Sequence, residues 1–385
     1  MATIGAGASV KLGRGSKRYN SAQSELSKIK FVFIAFCIFV TTSPIFGELF
    51  TVAFTLFGLG ILLLSIRSFE KSAITMILGF IVAIVPMTVY DLLQSTDRGF
   101  VTFSFLAIPT FLIFGFALSQ SVSEVRFFDI YEKIILYLAI PSSVAYLIFF
   151  LFPEIAYSAP EYEFRETTHR TFVILNVLTN PDLVIRNSGF ASEPGFYQIL
   201  INAALYIRLK RVRRPDIVCV FYSVVVLSTL STAGIVVTAY LLSTVLNWQY
   251  RIMLVIMVLL FLGVVQEFVM EQYKIKVEND IVFDRRFTPS LNAILFFLEH
   301  PFGIGAVQYI NIYERYDIGS WDTFTQVALR YGLPGIIGIG FLFSNLFRRN
   351  PVLLGLLCLS FLTSPIWFYP AVACLYFPSR GDTIK

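Results

Sequence analysis

Charge is what this sequence has least of. Only 14% of its 385 residues are Asp, Glu, Lys or Arg, where soluble chains carry about a quarter. A chain so poor in charge cannot clothe a water-facing surface, which excludes an ordinary soluble domain. Histidine is scarce, with two residues, and the four cysteines (Cys37, Cys219, Cys358, Cys374) all fall inside apolar runs. No CxxC or mixed Cys/His spacing occurs, so neither a zinc site nor a disulfide framework is implied. An Asp-rich box of the kind that holds Mg2+ is also missing. So are internal repeats and matched interrupted apolar segments, which weakens a secondary-transporter reading.

What the sequence has is apolar surface. Hydrophobic residues make up 56% of it, with 40 Phe and 19 Tyr. About twenty apolar residues cross a bilayer as helix, and such runs centre on 29–46, 49–66, 72–90, 100–118, 134–152, 195–209, 215–231, 233–247, 251–268, 323–346 and 352–377. The expectation is an all-α, polytopic integral membrane protein with about 11 (10–12) transmembrane helices and two long periplasmic loops. The tight Ser228–Gly234 stretch joins the seventh and eighth spans, and Pro365 and Pro370 are expected to kink or break the last.

The net charge of +5 is a matter of orientation rather than of nucleic acid. Lys11, Arg14, Lys17, Arg18, Lys28 and Lys30 precede the first span, and Arg67, Lys71, Arg126, Lys133, Arg208, Lys210, Arg211, Arg213, Arg214, Arg251, Arg348 and Arg349 fall on the same side. The short loops opposite hold only Arg98. Short-loop cations mark the cytoplasmic side. The chain therefore divides into a cytoplasmic tail at 1–28, helices one to five at 29–152, a first outer loop at 153–194, helices six to nine at 195–268, a second outer loop at 269–322, C-terminal helices at 323–378 and a tail at 379–385. The basic N-terminal stretch followed by the apolar run from Phe31, with no small-residue cleavage site, reads as an uncleaved signal anchor. Long ordered outer loops tend to carry function.

The most informative stretch sits where the first outer loop re-enters the membrane: Arg186, Asn187, Ser188, Gly189, Phe190, Ala191, Ser192, Glu193, Pro194, Gly195, Phe196, Tyr197. Gly189 permits a turn that a side chain blocks. Pro194 suits the first turn of a helix, and Glu193 suits its N-terminus. A capped helix start with Arg186 paired to Glu193 accounts for the same spacing. In the second outer loop stand Asp284, Arg285, Arg286 and Phe287, then Glu299, His300, Pro301, Phe302, Gly303, Ile304 and Gly305. Asp322 through Gln326 and Tyr331 through Gly335 follow.

Taken in order, these segments resemble the O-antigen polymerase (Wzy) family and the related O-antigen ligases. Those proteins carry an R-x-x-G-x-F-x-E-P-like junction, an N/H-P-x-x-G-x-G stretch and a closing N-x-Y-L-Q…G-x-x-G helix. The ligases place a histidine before the closing Asn. Here that position is Trp321 and the Asn is Asp322, which disfavours ligase activity.

The resemblance implies a glycosyltransferase of the inner membrane that needs no cofactor or metal. It would move a growing glycan from undecaprenyl diphosphate to a lipid-linked repeat unit at the periplasmic face. Its partners would be the lipid-linked donor and acceptor, membrane lipids and a chain-length-regulating co-polymerase, with no nucleic acid. Arginines can hold a departing diphosphate by bidentate hydrogen bonds. Arg186, Arg285, Arg286, Arg330 and Arg170 are the candidates for that contact, with Tyr197 beside the glycan. Arg330 stands inside an apolar span, where a charge must face a partner or a polar cavity. Glu193, His169, His300, Asp317 and Asp322 are the candidates for taking the acceptor proton, with Arg186, Glu193, Asp322 and His300 forming the catalytic set. A flippase for the same lipid-linked oligosaccharide is the alternative from another class.

Overall fold

The computed structural model describes residues 31–39, 42, 56, 58–60, 71–94, 98–121, 123–164, 167–172, 175–179, 185–212, 214–249, 252, 288–305, 308, 322–362 and 368–377. Within them the chain is predominantly helical. Residues 31–39 form a helix, followed by α1 (Lys71–Gln94), α2 (Arg98–Ser121), α3 (Glu124–Leu151) and the short α4 (Pro153–Ser158). After a sheet come α5 (Pro194–Val212), α6 (Ile217–Ser228), α7 (Thr232–Val245), α8 (Thr288–Glu299), α9 (Thr323–Arg349), α10 (Pro351–Phe361) and a last turn, α11 (Pro370–Ala373). The spans expected at 49–66 and 251–268 lie largely outside the described residues, as do both tails.

Among the described residues, three helices are long and apolar enough to cross a bilayer: α1 over Ile74–Asp91, α3 and α9. α2, α6, α7, α8 and α10 supply shorter apolar stretches. Helix α5 is different. It carries Gln198 and Asn202, yet 14 of its 19 residues are buried. It packs against α3, α6, α7, α10 and the sheet, so protein rather than lipid surrounds it. Its polar groups are satisfied there: Asn202 Nδ2 donates to Gln198 Oε1 (2.9 Å) and to the Gly234 carbonyl (3.2 Å), and Thr238 Oγ1 donates to Asn202 Oδ1 (2.8 Å). Hydrogen bonds of this kind join helices where water is absent.

Helices α1 and α9 run antiparallel. A Cβ on Gly79 would sit 3.4 Å from the Phe341 ring, and one on Gly338 would sit 2.9 Å from Phe80. Small residues at such crossings let the backbones approach closely. The last expected span is interrupted, as its prolines require: α10 ends at Phe361 and α11 starts again at Pro370.

The stretch between α4 and α5 adds a small sheet to this otherwise helical chain. Four strands form an antiparallel meander, β1 (Glu161–Phe164), β2 (Thr167–Phe172), β3 (Leu175–Leu178) and β4 (Arg186–Gly189), ordered β1-β2-β3-β4. It rests on the end of α3 through Phe149, Ala156, Val177 and Ile185, all buried.

The bundle has two chemically distinct ends. One carries the sheet, the α6–α7 turn and the start of α5. The other gathers the cations of α5 and the acids of α3: Arg211 pairs with Glu132 (2.7 Å) and Asp129 (3.0 Å), Arg208 with Glu132 (3.3 Å) and Asp216, and Lys210 with Glu124 (3.6 Å). Asp216 also caps α6 by accepting from the Cys219 amide. Lys210 Nζ donates to Asn350 Oδ1 (3.0 Å), just past α9, so α9 ends among the paired cations. From Gly332 to Arg349 the helix runs about 27 Å, which carries Gly332, and the antiparallel end of α1, away from those cations and toward the sheet end.

Candidate functional site

Two loop-to-helix junctions at the sheet end hold most of the residues singled out in the sequence. The first is built on β4 and α5. Gly189 has a φ of +56°, and a Cβ on it would overlap the Tyr197 ring. The glycine is therefore required twice, by the left-handed backbone and by the aromatic ring closing beneath it. Pro194 opens α5, and the Glu193 carbonyl accepts from the amides of Phe196 (3.1 Å) and Tyr197 (3.0 Å). The helix start is the one the spacing predicted. Asn187 ties the turn together: its Oδ1 accepts from the Gly189 amide (2.9 Å) and from Ser142 Oγ (3.2 Å), and its Nδ2 donates to Ser228 Oγ (2.9 Å).

Arg186 is held against the α6–α7 turn. Its Nε donates to the Thr229 carbonyl (3.0 Å) and its Nη2 to the Leu230 carbonyl (3.4 Å). Leu230 is left-handed (φ 50°), a conformation that costs a non-glycine residue on the order of 1 kcal/mol and tends to be kept where it serves a site. The guanidinium is thus oriented by the turn that follows α6, a partner the sequence did not reveal. Cross-strand register puts His169, Leu178 and Arg186 in one row of the sheet. His169 is completely buried. Burial first, and the Arg186 charge second, push its imidazole down to about 4. It stays neutral at physiological pH and is sealed from an acceptor.

Two expected substrate contacts change character. Tyr197 has no exposed surface, and its hydroxyl donates to Ser142 Oγ (3.0 Å). It is a packing residue under Gly189 rather than a glycan contact, and position alone could not separate the two. Arg170 donates to the carbonyls of Tyr157 and Ala159 (3.1 Å) and pairs with Glu161, opposite it on β1. It stitches α4 to the sheet, with its guanidinium 5.4 Å from the Tyr157 ring centre.

The second junction joins α8 to α9. His300 ends α8, its carbonyl accepts from the Gly303 amide (2.9 Å), and its exposed ring lies 4.5 Å from that of Phe296. Of the chain's two histidines it is the exposed one. Residues 301–305 then lie against a break in α9 at Gly332, where φ is 62° and ψ is −155°. The Leu333 amide donates to the Pro301 carbonyl (2.8 Å), and the Ile304 amide to the Leu329 carbonyl (2.8 Å). A Cβ on Gly303 would stand 2.6 Å from the Gly332 nitrogen and 2.7 Å from the Arg330 oxygen. The two glycine motifs are therefore the two halves of one interlock, with Arg330 on its edge.

Asp322 is the N-cap of α9. One of its oxygens accepts from the Thr325 amide (2.8 Å) and the other from the Thr325 hydroxyl. Capping explains an acid at this position without catalysis. Replacing it with alanine is expected to destabilise the purified protein by about 1 kcal/mol, read as a lower melting temperature. Asp322→Asn keeps an acceptor and should preserve both stability and activity. Loss of activity in a stable Asp322→Asn variant would restore the catalytic assignment.

Arg285, Arg286, Asp317 and Trp321 lie outside the described residues. The expected pairing of Arg186 with Arg285 or Arg286 therefore lies partly outside the described residues; Arg186 stands at the first junction and Arg330 at the second. Asp91 of α1 was missed altogether. It is 3% exposed and lies against Gly305. Among the described residues there is no grouping of His, Cys, Asp and Glu suited to a metal ion.

Long apolar helices around a buried polar helix define an integral membrane protein. No protein-family model and no curated protein matches the chain.

Proposed function

We propose that this protein is a polymerase of lipid-linked glycans, transferring a growing chain from undecaprenyl diphosphate to a lipid-linked repeat unit at the periplasmic face of a bacterial inner membrane. The observation that carries the reading is the first junction, where Arg186 is oriented by two carbonyls of the α6–α7 turn while Gly189 and Pro194 set the start of α5 beside it. An arginine fixed before substrate arrives stabilises developing charge without reorganisation. The second junction, with Arg330 and the exposed His300, opens at the same end of the bundle.

The orientation rests on charge. The end with Arg208, Lys210, Arg211, Arg348 and Arg349 is the cytoplasmic one by the positive-inside rule, so both junctions face outward. In the reaction, an acceptor sugar hydroxyl attacks the anomeric carbon of the donor glycan. The bond from that carbon to the diphosphate oxygen breaks, and its electron pair leaves with the lipid diphosphate. The hydroxyl proton passes to a base, for which the solvent-exposed His300 is the candidate. Arg186 takes the departing charge by hydrogen bonds to phosphate oxygens.

Deleting the gene tests this directly. Surface glycan is expected to carry a single repeat unit, seen as the collapse of the ladder on a gel. Complete loss of surface repeats would instead fit a flippase or a ligase, and an unchanged ladder would remove the protein from the pathway.

A further inference from the structure

Helix α8 buries one apolar face and leaves another bare. Its inner face is settled: Ala293 is buried with Ile304 and with Leu329 of α9, and Phe296 and Phe297 are half-buried beside them. The outer face carries Leu291, Ile294, Leu295 and Leu298, between 48% and 68% exposed. Those positions follow i, i+3, i+4 and i+7, so they form one stripe along the helix. Phe302, 72% exposed, extends it past the end of α8. No charged residue falls between Leu291 and Leu298, and Glu299 and His300 stand exposed where the stripe ends.

This helix is too short to cross a membrane. Its 12 residues rise about 18 Å, against about 30 Å of hydrocarbon. A contiguous bare apolar stripe marks a surface that meets something other than water. What meets it follows from what it joins. The Leu333 amide bonds to the Pro301 carbonyl (2.8 Å), and the backbone of Phe302 lies against Gly332, so Phe302 stands level with the α9 break. Below the break, Leu333, Ile336, Ile337 and Phe341 are the bare apolar positions of α9, 42% to 57% exposed. They run along a helix long and apolar enough to cross a bilayer, and that face of it looks at lipid. The stripe of α8 thus continues, through Phe302, a surface already turned toward acyl chains.

We propose that α8 is an interfacial helix that lays Leu291, Ile294, Leu295, Leu298 and Phe302 into the lipid leaflet at the sheet end of the bundle. An amphipathic helix of this kind sinks its apolar face about 5–10 Å into the boundary between headgroups and acyl chains. The inner face, held on α9 by Ala293 and Leu329, fixes which side of α8 is offered to the leaflet. The exposed Glu299 and His300 then mark the level at which the helix returns to headgroups and water. This lipid contact stands whatever reaction the protein performs. Under the polymerase reading it has a further use, because it keeps His300 and the 301–305 turn at the depth where the diphosphate of a membrane-anchored donor lies.

The test places the full chain, with Leu295→Cys or Leu298→Cys carrying a small fluorophore, in phosphatidylcholine nanodiscs. Ile337→Cys, on the lipid-facing side of α9, is the reference, and the unsubstituted chain corrects for labelling of the native cysteines. Two quenchers are compared, a nitroxide on the lipid acyl chain and iodide in the water. The nitroxide is expected to quench at 295 and 298 at least half as strongly as at 337, and more strongly than iodide does. Quenching dominated by iodide at these positions would put the stripe in water and overturn the proposal. Protection from both quenchers would mean a protein cover, such as a second copy of the chain, and would overturn it too. Both leucines are more than half exposed, so the variants are expected to melt like the parent in detergent. Should either fail to fold, Leu291→Cys, one turn along the same stripe, gives the same reading.

Discussion

Replacing Arg186 with alanine is expected to slow glycan chain growth on the order of 10²–10³-fold, the usual consequence of removing one preorganised donor to a developing anion. The protein should remain in the membrane at its normal level. The side chain donates hydrogen bonds to backbone carbonyls at 3.0 and 3.4 Å, and a bond from a charged donor is worth roughly 1.5–3 kcal/mol. That is too little to unfold a bundle whose central helix α5 is buried along most of its length. Arg186→Lys separates charge from shape. An ammonium keeps the positive charge but cannot span the Thr229 and Leu230 carbonyls while presenting a second edge to phosphate. Lysine is therefore expected to recover little of the lost rate. The measurement is the length distribution of surface glycan on a gel, read beside an immunoblot for the protein. A normal ladder in the alanine variant at full expression would take Arg186 out of the site.

The first junction was legible in the sequence because its constraints are local. Gly189, Glu193 and Pro194 lie within six positions of one another, and the backbone rules that govern them act over that distance. The Gly332 break was half legible: Pro334 and two nearby glycines marked an irregular helix, but the Pro301–Gly303 segment filling the break comes from another part of the chain. Asp91 was not legible at all. A lone acid near the end of an apolar run reads as an interfacial residue, and only contact with Gly305 shows that it is enclosed. The sheet escaped because its strands are four to six residues long and alternate polar with apolar side chains only weakly. The Thr-rich stretch from Thr167 to Thr171 was the available signal, since β-branched residues favour strands. The cations of α5 taught a different lesson. Counting them for orientation ignored Glu124, Asp129 and Glu132, so their second role, clasping α5 to α3, stayed hidden until the helices were placed.

Gly332→Ala is expected to be among the most damaging single-methyl changes in the chain. At φ 62° and ψ −155° the backbone occupies a region that is essentially glycine-only, and an alanine there costs on the order of 1–3 kcal/mol before any contact is considered. The added carbon would also overlap Pro301 and Phe302 of the facing segment. Relief requires the 301–305 turn to move away, which breaks the bond from the Leu333 amide to the Pro301 carbonyl and lifts Gly305 from Asp91. The expected result is a protein that still inserts, melts several degrees lower and makes only short glycan. Gly340→Ala is the matched control. It lies in the same helix, nothing stands within 4 Å of its Cβ position, and alanine favours helix over glycine by up to about 1 kcal/mol. That variant should melt no lower than wild type and keep full-length chains. If Gly332→Ala also behaved this way, the interlock between the two glycine motifs would have to be abandoned as the feature that holds Arg330 in place.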